Sequence, residues 1–87
     1  MNPLNATYIS TATTTTVKSG KGHLARIILT ETAAGTITVY DNTAGSGTVI
    51  ATFKASVGEQ DFEFDCRFLV GLTIVTAAAS KLTCIFE

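Results

Sequence analysis

Apolar and polar residues alternate along much of this chain with the two-residue period of a β-strand. The alternation is cleanest in residues 59–68, where polar positions separate Phe62, Phe64, Cys66 and Phe68. The intervening polar side chains are Asp61, Glu63, Asp65 and Arg67. This segment predicts a core strand with one face in solvent.

Residues 35–53 predict a β-hairpin. Residues 36–40 alternate Thr or Tyr with Ile or Val, and Val49, Ala51 and Phe53 resume a single apolar face. Between them, residues 41–47 are of types that adopt turn conformations. This connection is longer than a two-residue hairpin turn, so its tip is expected to project as a loop.

Four further strands are predicted around these segments. Residues 7–18 are rich in threonine and polar on both faces, which favours one strand that lies at a sheet edge or on the surface. Residues 19–22 contain two glycines and predict a turn. Residues 23–31 are partly apolar on both faces, which favours a mid-sheet strand with Arg26 paired or reaching the surface. Residues 70–76 and 81–86 are the last two predicted strands, and residues 32–35 and 55–58 predict turns.

No amphipathic helix pattern interrupts this rhythm, so the sequence predicts an all-β fold. The expected architecture is a single small antiparallel β-sandwich of about seven strands, of jelly-roll or immunoglobulin-like type, with a small β-barrel as the alternative. Pro3 favours extended backbone, which predicts an N-terminal arm over residues 1–6 and a sandwich domain over residues 7–87.

Composition and charge narrow the possible partners. Six Lys and Arg against seven Asp and Glu give a formal net charge of −1, so neither nucleic acid nor an anionic membrane is an expected partner. The longest mostly apolar run, residues 68–79, is too short for a membrane-spanning helix. The N-terminus has no secretory pattern, so we expect a soluble protein made in a cytoplasm. A 46% hydrophobic content with only 15% charged residues suggests that a partner covers part of the surface.

The candidate chemistry is sparse. Glu59, Asp61, Glu63 and Asp65 share one strand face, a spacing compatible with a glycosidase carboxylate pair or a calcium site, but an acidic stripe that faces solvent or a partner is favoured. His23, the only histidine, lies beside a turn with no nucleophile motif around it. We therefore predict no enzyme activity, catalytic residue, cofactor or metal site.

Cys66 and Cys84 lie in different predicted strands, each with apolar residues two positions away. Two buried core thiols are the favoured interpretation, because free cysteine is among the most buried residue types. A disulfide is the alternative, although the oxidising context that favours one is not indicated.

The chain resembles small structural proteins in the particles of tailed bacteriophages. Those proteins share a threonine-rich first strand, a Lys-Gly turn and a hairpin of the type GTITVYDNTAGSGTVIA, and the resemblance covers nearly the whole chain after Asn5. The matching positions are Gly20, Leu24, Arg26, Ile27, Gly35, Thr36, Ile37, Tyr40, Asp41, Asn42, Thr43, Gly45, Gly47, Ile50, Gly71, Leu72, Thr76 and Ala77.

The resemblance implies a non-enzymatic component of the virion, with a head decoration (cement) protein on the outer capsid surface as the leading expectation. Such proteins bind the major capsid protein, typically as homotrimers, and stabilise the shell mechanically. The alternative is a receptor- or glycan-binding module of the tail, neck or fibres. The residues expected to contact a partner are Leu4, Tyr8, Asn42, Thr43 and Ser46.

Overall fold

Eight antiparallel strands build the fold in a computed structural model that describes residues 4–31, 35–54 and 60–87. The strands are β1 (Asn5–Ile9), β2 (Thr14–Ser19), β3 (Gly22–Glu31), β4 (Thr36–Asp41), β5 (Thr48–Lys54), β6 (Gln60–Phe68), β7 (Gly71–Thr76) and β8 (Lys81–Phe86). They form two four-stranded sheets, the first in the order β1-β8-β3-β6 and the second in the order β2-β7-β4-β5. The predicted all-β sandwich is confirmed.

Several sequence-based predictions fall on positions outside the described residues. They are residues 1–3 of the predicted arm, residues 32–34 and 55–58 of two predicted turns, Glu59 of the acidic stripe and the side chain of Phe53. The described residues include no helix long and apolar enough to cross a bilayer.

The apolar interior lies between the two sheets. Its largest fully buried side chains include Phe68, Leu24, Ile27 and Leu82 from the first sheet and Ile37, Leu72 and Ile74 from the second. Phe62, Phe64 and Cys66 are partly buried and pack against this core. The alternation in residues 61–68 therefore places its apolar face inward as predicted, although β6 lies at the edge of its sheet.

The prediction of one strand over residues 7–18 is wrong. The chain forms β1 in the first sheet, crosses between the sheets at residues 10–13, and forms β2 at an edge of the second sheet. The buried Thr76 side chain holds the crossing: its hydroxyl Oγ1 lies 2.6 Å from the Thr11 carbonyl oxygen and accepts a hydrogen bond from the Thr13 amide at 3.0 Å. This division accounts for an eighth strand. Because β1 begins at Asn5, two residues of the range assigned to the arm lie in a strand, where they face Phe86 and Ile85.

Strand β3 lies mid-sheet between β8 and β6, as predicted, but it does not bury both faces. Leu24, Ile27 and Leu29 are buried, so the inward positions change phase between Leu24 and Ile27. The change coincides with a register shift at Ala25 in the pairing with both neighbouring strands. Because of this β-bulge, the inward-facing apolar residues of β3 occupy even-numbered positions before it and odd-numbered positions after it. The opposite face of the strand, which carries Arg26, is exposed.

Three connections meet at one end of the sandwich. The turn between β2 and β3 contains Gly20, whose φ of 93° requires glycine and whose amide donates to the Val70 carbonyl at 2.9 Å. Val70 belongs to the turn between β6 and β7, and the β4–β5 loop of residues 42–47 begins beside it. This end is where the structure places much of its exposed apolar surface.

Candidate partner-binding surface

The five side chains predicted to contact a partner fall into two separate groups. Leu4 and Tyr8 belong to the β1 edge of the first sheet, and both are exposed. Because Ile9 points into the core, Tyr8 points to the outer face of that sheet. Asn42, Thr43 and Ser46 lie in the 42–47 loop of the second sheet. The structure therefore does not assemble the five into one surface.

The 42–47 loop does not project, contrary to the prediction. The Thr73 hydroxyl donates to the Asn42 carbonyl at 2.8 Å, and the Thr16 hydroxyl donates to the Thr43 carbonyl at 3.0 Å. Since Thr73 and Thr16 belong to β7 and β2, the loop folds back over the outer face of the second sheet. Thr73 alternates with core residues of β7, so its side chain points to the outer face of the sheet. It is nevertheless fully buried, because the loop covers it.

The side chain of Asn42 also shapes the loop from within. Its Nδ2 donates to the Ser46 carbonyl at 2.8 Å, and its Oδ1 accepts from the Thr43 amide at 2.8 Å. Asparagine commonly stabilises turns through such bonds to the nearby backbone. The amide that was expected to face a partner is engaged within its own chain.

Asp41 joins the end of β4 to the turn between β6 and β7. Its carboxylate accepts hydrogen bonds from the amides of Val70 at 2.8 Å and Leu69 at 3.0 Å, with a longer contact to the Gly71 amide at 3.4 Å. These bonds to the Val70 and Leu69 amides lower the pKa of Asp41, because they favour the ionised carboxylate. The charge of Asp41 is thus used to fix the shape of a turn.

That turn presents two adjacent exposed apolar residues, one of which, Leu69, is the most exposed large apolar residue in the described part of the chain. Leu69 is 65% exposed and Val70 is 53% exposed, side by side at the tip. Leu4 lies at the same end of the sandwich, since Asn5 faces Phe86 and the strand pair β3–β6 ends with Gly22 facing Phe68. Held in place by Asp41, Leu69 and Val70 form a fixed apolar projection suited to a complementary pocket.

Leu69 and Val70 were not predicted as contact residues. The available signal was a pair of branched apolar residues immediately before Gly71, at the junction of two predicted strands. The alternation assigned Val70 to the following strand, whereas that strand begins at Gly71.

Val49 is a third apolar residue that sequence analysis misplaced. It was expected on the inward face of the hairpin but is exposed, and Ile50 packs against the core instead. The cause is a register shift: Val39 faces Ala51 while Tyr40 faces Val49, which leaves Ile50 as an extra residue in β5. Residues of β5 that precede the bulge therefore point to the opposite face from the one that simple alternation predicts.

Two carboxylates of β6, Asp61 and Asp65, each have one basic neighbour. Asp61 accepts from Arg26 at 3.2 Å, and Asp65 lies 2.7 Å from Nε2 of His23. The His23 Nδ1 atom is buried without a hydrogen-bond partner among the described residues, so the tautomer with its hydrogen on Nε2 fits this contact. Asp65 itself has a φ of 48°, at the point where β6 carries an extra residue relative to β3.

No group of three metal-binding side chains is found in the described part of the chain. Asp61 and Asp65 act instead as ion-pair and hydrogen-bond partners across the β3–β6 pair. Asp61, Glu63 and Asp65 are exposed, and pairs of this kind contribute at most about 1 kcal/mol each to stability.

The two cysteines are free thiols, and no disulfide joins them. The favoured interpretation of two buried core thiols is confirmed for Cys84, whereas Cys66 is only partly buried. Cys84 is fully buried, and burial raises its pKa to about 12. Cys66 is partly buried, and its pKa is raised by burial together with the nearby carboxylates of Asp65 and Asp41. Both function as small apolar side chains.

Comparison with known proteins does not assign the chain to a family. No protein-family model matches the sequence, and no curated protein is significantly similar to it.

Proposed function

We propose that this chain is a structural protein of a tailed bacteriophage particle, and specifically a decoration protein that binds the outer surface of the head. The protein acts by binding rather than by catalysis, and its main partner is the major capsid protein. It is made in the cytoplasm of the host bacterium and works on the virion as a homo-oligomer, with a trimer favoured.

The proposal rests on one observation: several large apolar side chains stay exposed although the two sheets already enclose a core. Leu4, Tyr8, Val49, Leu69 and Val70 are all more than half exposed. Single exposed apolar residues are common, but adjacent ones on a fixed turn are typical of contact surfaces. The sequence resemblance through the 35–50 hairpin adds the class of particle.

A decoration protein of this kind stabilises a shell by linking neighbouring subunits. The free energy of each contact adds to the barrier against separating those subunits under internal pressure. A small rigid β-sandwich suits this role, because little conformational entropy is lost when a preformed turn binds. The apolar turn at 69–70 is the part of the surface best formed for such a contact.

The experiment combines the purified protein with expanded, DNA-free capsids that lack it. We expect co-sedimentation at a fixed stoichiometry and a rise in the temperature at which the capsids disrupt. Leu69→Asp and Val70→Asp should each weaken this binding at least tenfold. Thr52→Asp, an exposed change on β5, is the matched control and should bind as the unmodified protein does. Failure to bind any form of the capsid would refute the proposal.

A second function is a receptor- or glycan-binding module of the tail, neck or fibres. It is favoured by one feature, the exposed aromatic ring of Tyr8 near the ion pair of Lys81 and Glu31, whose Nζ and Oε2 atoms are 3.0 Å apart. An aromatic face beside polar groups can stack on a sugar ring. Binding to host cells that is lost in Tyr8→Ala, with no binding to capsids, would favour this function over decoration.

A further inference from the structure

The four edge strands of the sandwich are not equally protected against pairing with another strand. Strand β6 carries charged residues at every second position and a bulge opposite β3. Strand β2 has a register shift between Thr16 and Lys18, and β5 has one at Ile50 and ends in Lys54. Charges and bulges of this kind are the usual means by which proteins block edge-to-edge association.

Strand β1 has none of these protections. Its residues, Asn5 to Ile9, include no charged residue and no proline, and they face Phe86 to Leu82 of β8 one by one with no register shift. In the described part of the chain, no strand lies on its other side. Every second residue of β1 therefore directs its backbone N–H and C=O groups away from the sheet, toward a position that fits one more strand.

We propose that β1 pairs in antiparallel orientation with β1 of a second copy of this chain. The unpaired backbone groups require an extended strand, and charge selects which one. An uncharged β1 does not repel its own copy, whereas two β6 edges would bring Asp61, Glu63 and Asp65 against the same residues. The pairing joins two four-stranded sheets into one continuous sheet of eight strands.

The symmetry of this contact fixes its register. In an antiparallel pair, facing residues point to the same side of the sheet, so the two-fold axis passes midway between two copies of one residue. Overlap of all five residues makes Thr7 face Thr7 of the second copy across that axis. Tyr8 then faces Ala6 of the second copy on the outer face, so that the largest side chain of the strand lies against the smallest.

The contact is two-fold and therefore produces even-numbered assemblies of the 9.1-kDa chain. The trimer favoured above would need a separate three-fold contact, and the two contacts together would give an assembly of six chains. Pairing through β1 needs no capsid, so it can hold or fail independently of the proposed function.

Charge exchange across the contact tests the proposal. Ala6→Lys/Tyr8→Lys places lysines opposite lysines, and Ala6→Glu/Tyr8→Glu places glutamates opposite glutamates. Light scattering should give an even-numbered mass for the unmodified protein. Each double variant should lose the two-fold contact and have half that mass. An equimolar mixture of the two should regain the original mass, because each lysine then faces a glutamate.

The controls separate loss of pairing from loss of folding. Ala6 and Tyr8 are exposed, so circular dichroism of both variants should match that of the unmodified protein. Thr14→Lys places the same charge on the β2 edge and should leave the mass unchanged. An unmodified protein that stays monomeric or odd-numbered at all concentrations overturns the proposal. Folded double variants that keep their mass, or that fail to associate when mixed, overturn it equally.

A cross-link tests the register directly. In a Cys66→Ala background, a mixture of Ala6→Cys and Tyr8→Cys chains should form a disulfide-linked pair much faster than either chain alone, because only the mixed pair has facing positions. Equal rates in the mixture and in the single variants would contradict the register centred on Thr7.

Discussion

The Oδ1 atom of Asp41 accepts a hydrogen bond from the amide of Val70 at 2.8 Å, which ties the end of β4 to a turn 29 residues further along the chain. The same carboxylate also accepts from the Leu69 amide. One side chain thus fixes the turn that carries the two adjacent exposed apolar residues, and its removal has measurable consequences.

Asp41→Ala should lower the free energy of unfolding at neutral pH by about 2 kcal/mol, the range for hydrogen bonds to a charged group. Urea denaturation provides the measurement. Asp61→Ala removes an exposed carboxylate that is paired with Arg26, so it is the matched control and should cost less than about 1 kcal/mol. Equal losses in the two variants would mean that the turn is held by other contacts.

The contribution of Asp41 should depend on pH. Hydrogen bonds from the Val70 and Leu69 amides lower its pKa below the ordinary value of 3.8, so the unfolded chain binds the proton more readily than the folded one. The stabilisation is therefore complete above about pH 5 and is lost as pH falls through the folded pKa. The difference in unfolding free energy between the unmodified protein and Asp41→Asn should shrink over this range. A difference that stays constant from pH 6 to pH 3 would show that the charge is not responsible.

Gly71→Ala should destabilise the protein and loosen the 42–47 loop. A Cβ atom at this position would lie 2.9 Å from the Lys18 carbonyl oxygen and 3.0 Å from that of Asn42. Because backbone atoms cannot move aside cheaply, we expect a cost of about 1–3 kcal/mol. Chemical denaturation measures that cost, and amide hydrogen exchange in the loop reports the loosening.

Gly45→Ala is the comparison for this prediction. Its Cβ would meet the ends of two side chains, Val75 Cγ2 at 2.9 Å and Thr14 Cγ2 at 3.2 Å, which can shift. Its cost should be clearly smaller than that of Gly71→Ala. The reverse order would show that the loop is less firmly seated on β7 than the hydrogen bond from Thr73 indicates.

Local pattern predicts most of this fold, and its errors about which residues of β3 and β5 face inward have one cause. The hairpin of β4 and β5, the alternation in β6 and the bounds of β8 follow from residue period and turn chemistry. The bulges at Ala25 and Ile50 do not, because an extra residue in one strand is defined by its partner across the sheet. Each bulge changes which residues face inward, so Val49 was placed on the wrong side.

The candidate surface was less predictable than the fold. The exposure of Leu4 and Tyr8 does not determine what they contact. The loop that contains Asn42 and Ser46 lies against the outer face of the second sheet because it is bound by hydroxyl groups from distant parts of the chain. Thr16 and Thr73 are 57 residues apart in the chain, and no local pattern indicates that they hold one loop. The division of residues 7–18 has a similar origin, since the crossing is held by Thr76.

Thr76→Val should test that crossing. The substitution keeps the shape of the side chain but removes the hydroxyl that contacts the Thr11 carbonyl and the Thr13 amide. Leaving these backbone groups unpaired should cost about 1–3 kcal/mol of unfolding free energy. Thermal and urea denaturation measure it, with the exposed change Thr52→Val as the control for β-propensity. If both variants are as stable as the unmodified protein, the crossing does not depend on Thr76.

Thiol reactivity should distinguish the two cysteines. The fully buried Cys84, with its pKa raised to about 12, has almost no thiolate at pH 8 and no access to a reagent. In a Cys66→Ala variant, a chromogenic disulfide reagent should therefore label Cys84 only in unfolded molecules, at a rate proportional to the unfolded fraction, so low urea should accelerate the reaction. In a Cys84→Ala variant, the partly buried Cys66 should react in the native state, but more slowly than a peptide thiol, because burial and the neighbouring carboxylates raise its pKa. Strand β1 lies beside Cys84, because Thr7 is the residue that faces it. Rapid labelling of Cys84 without urea would therefore show that the β1 edge opens far more often than the rest of the sheet.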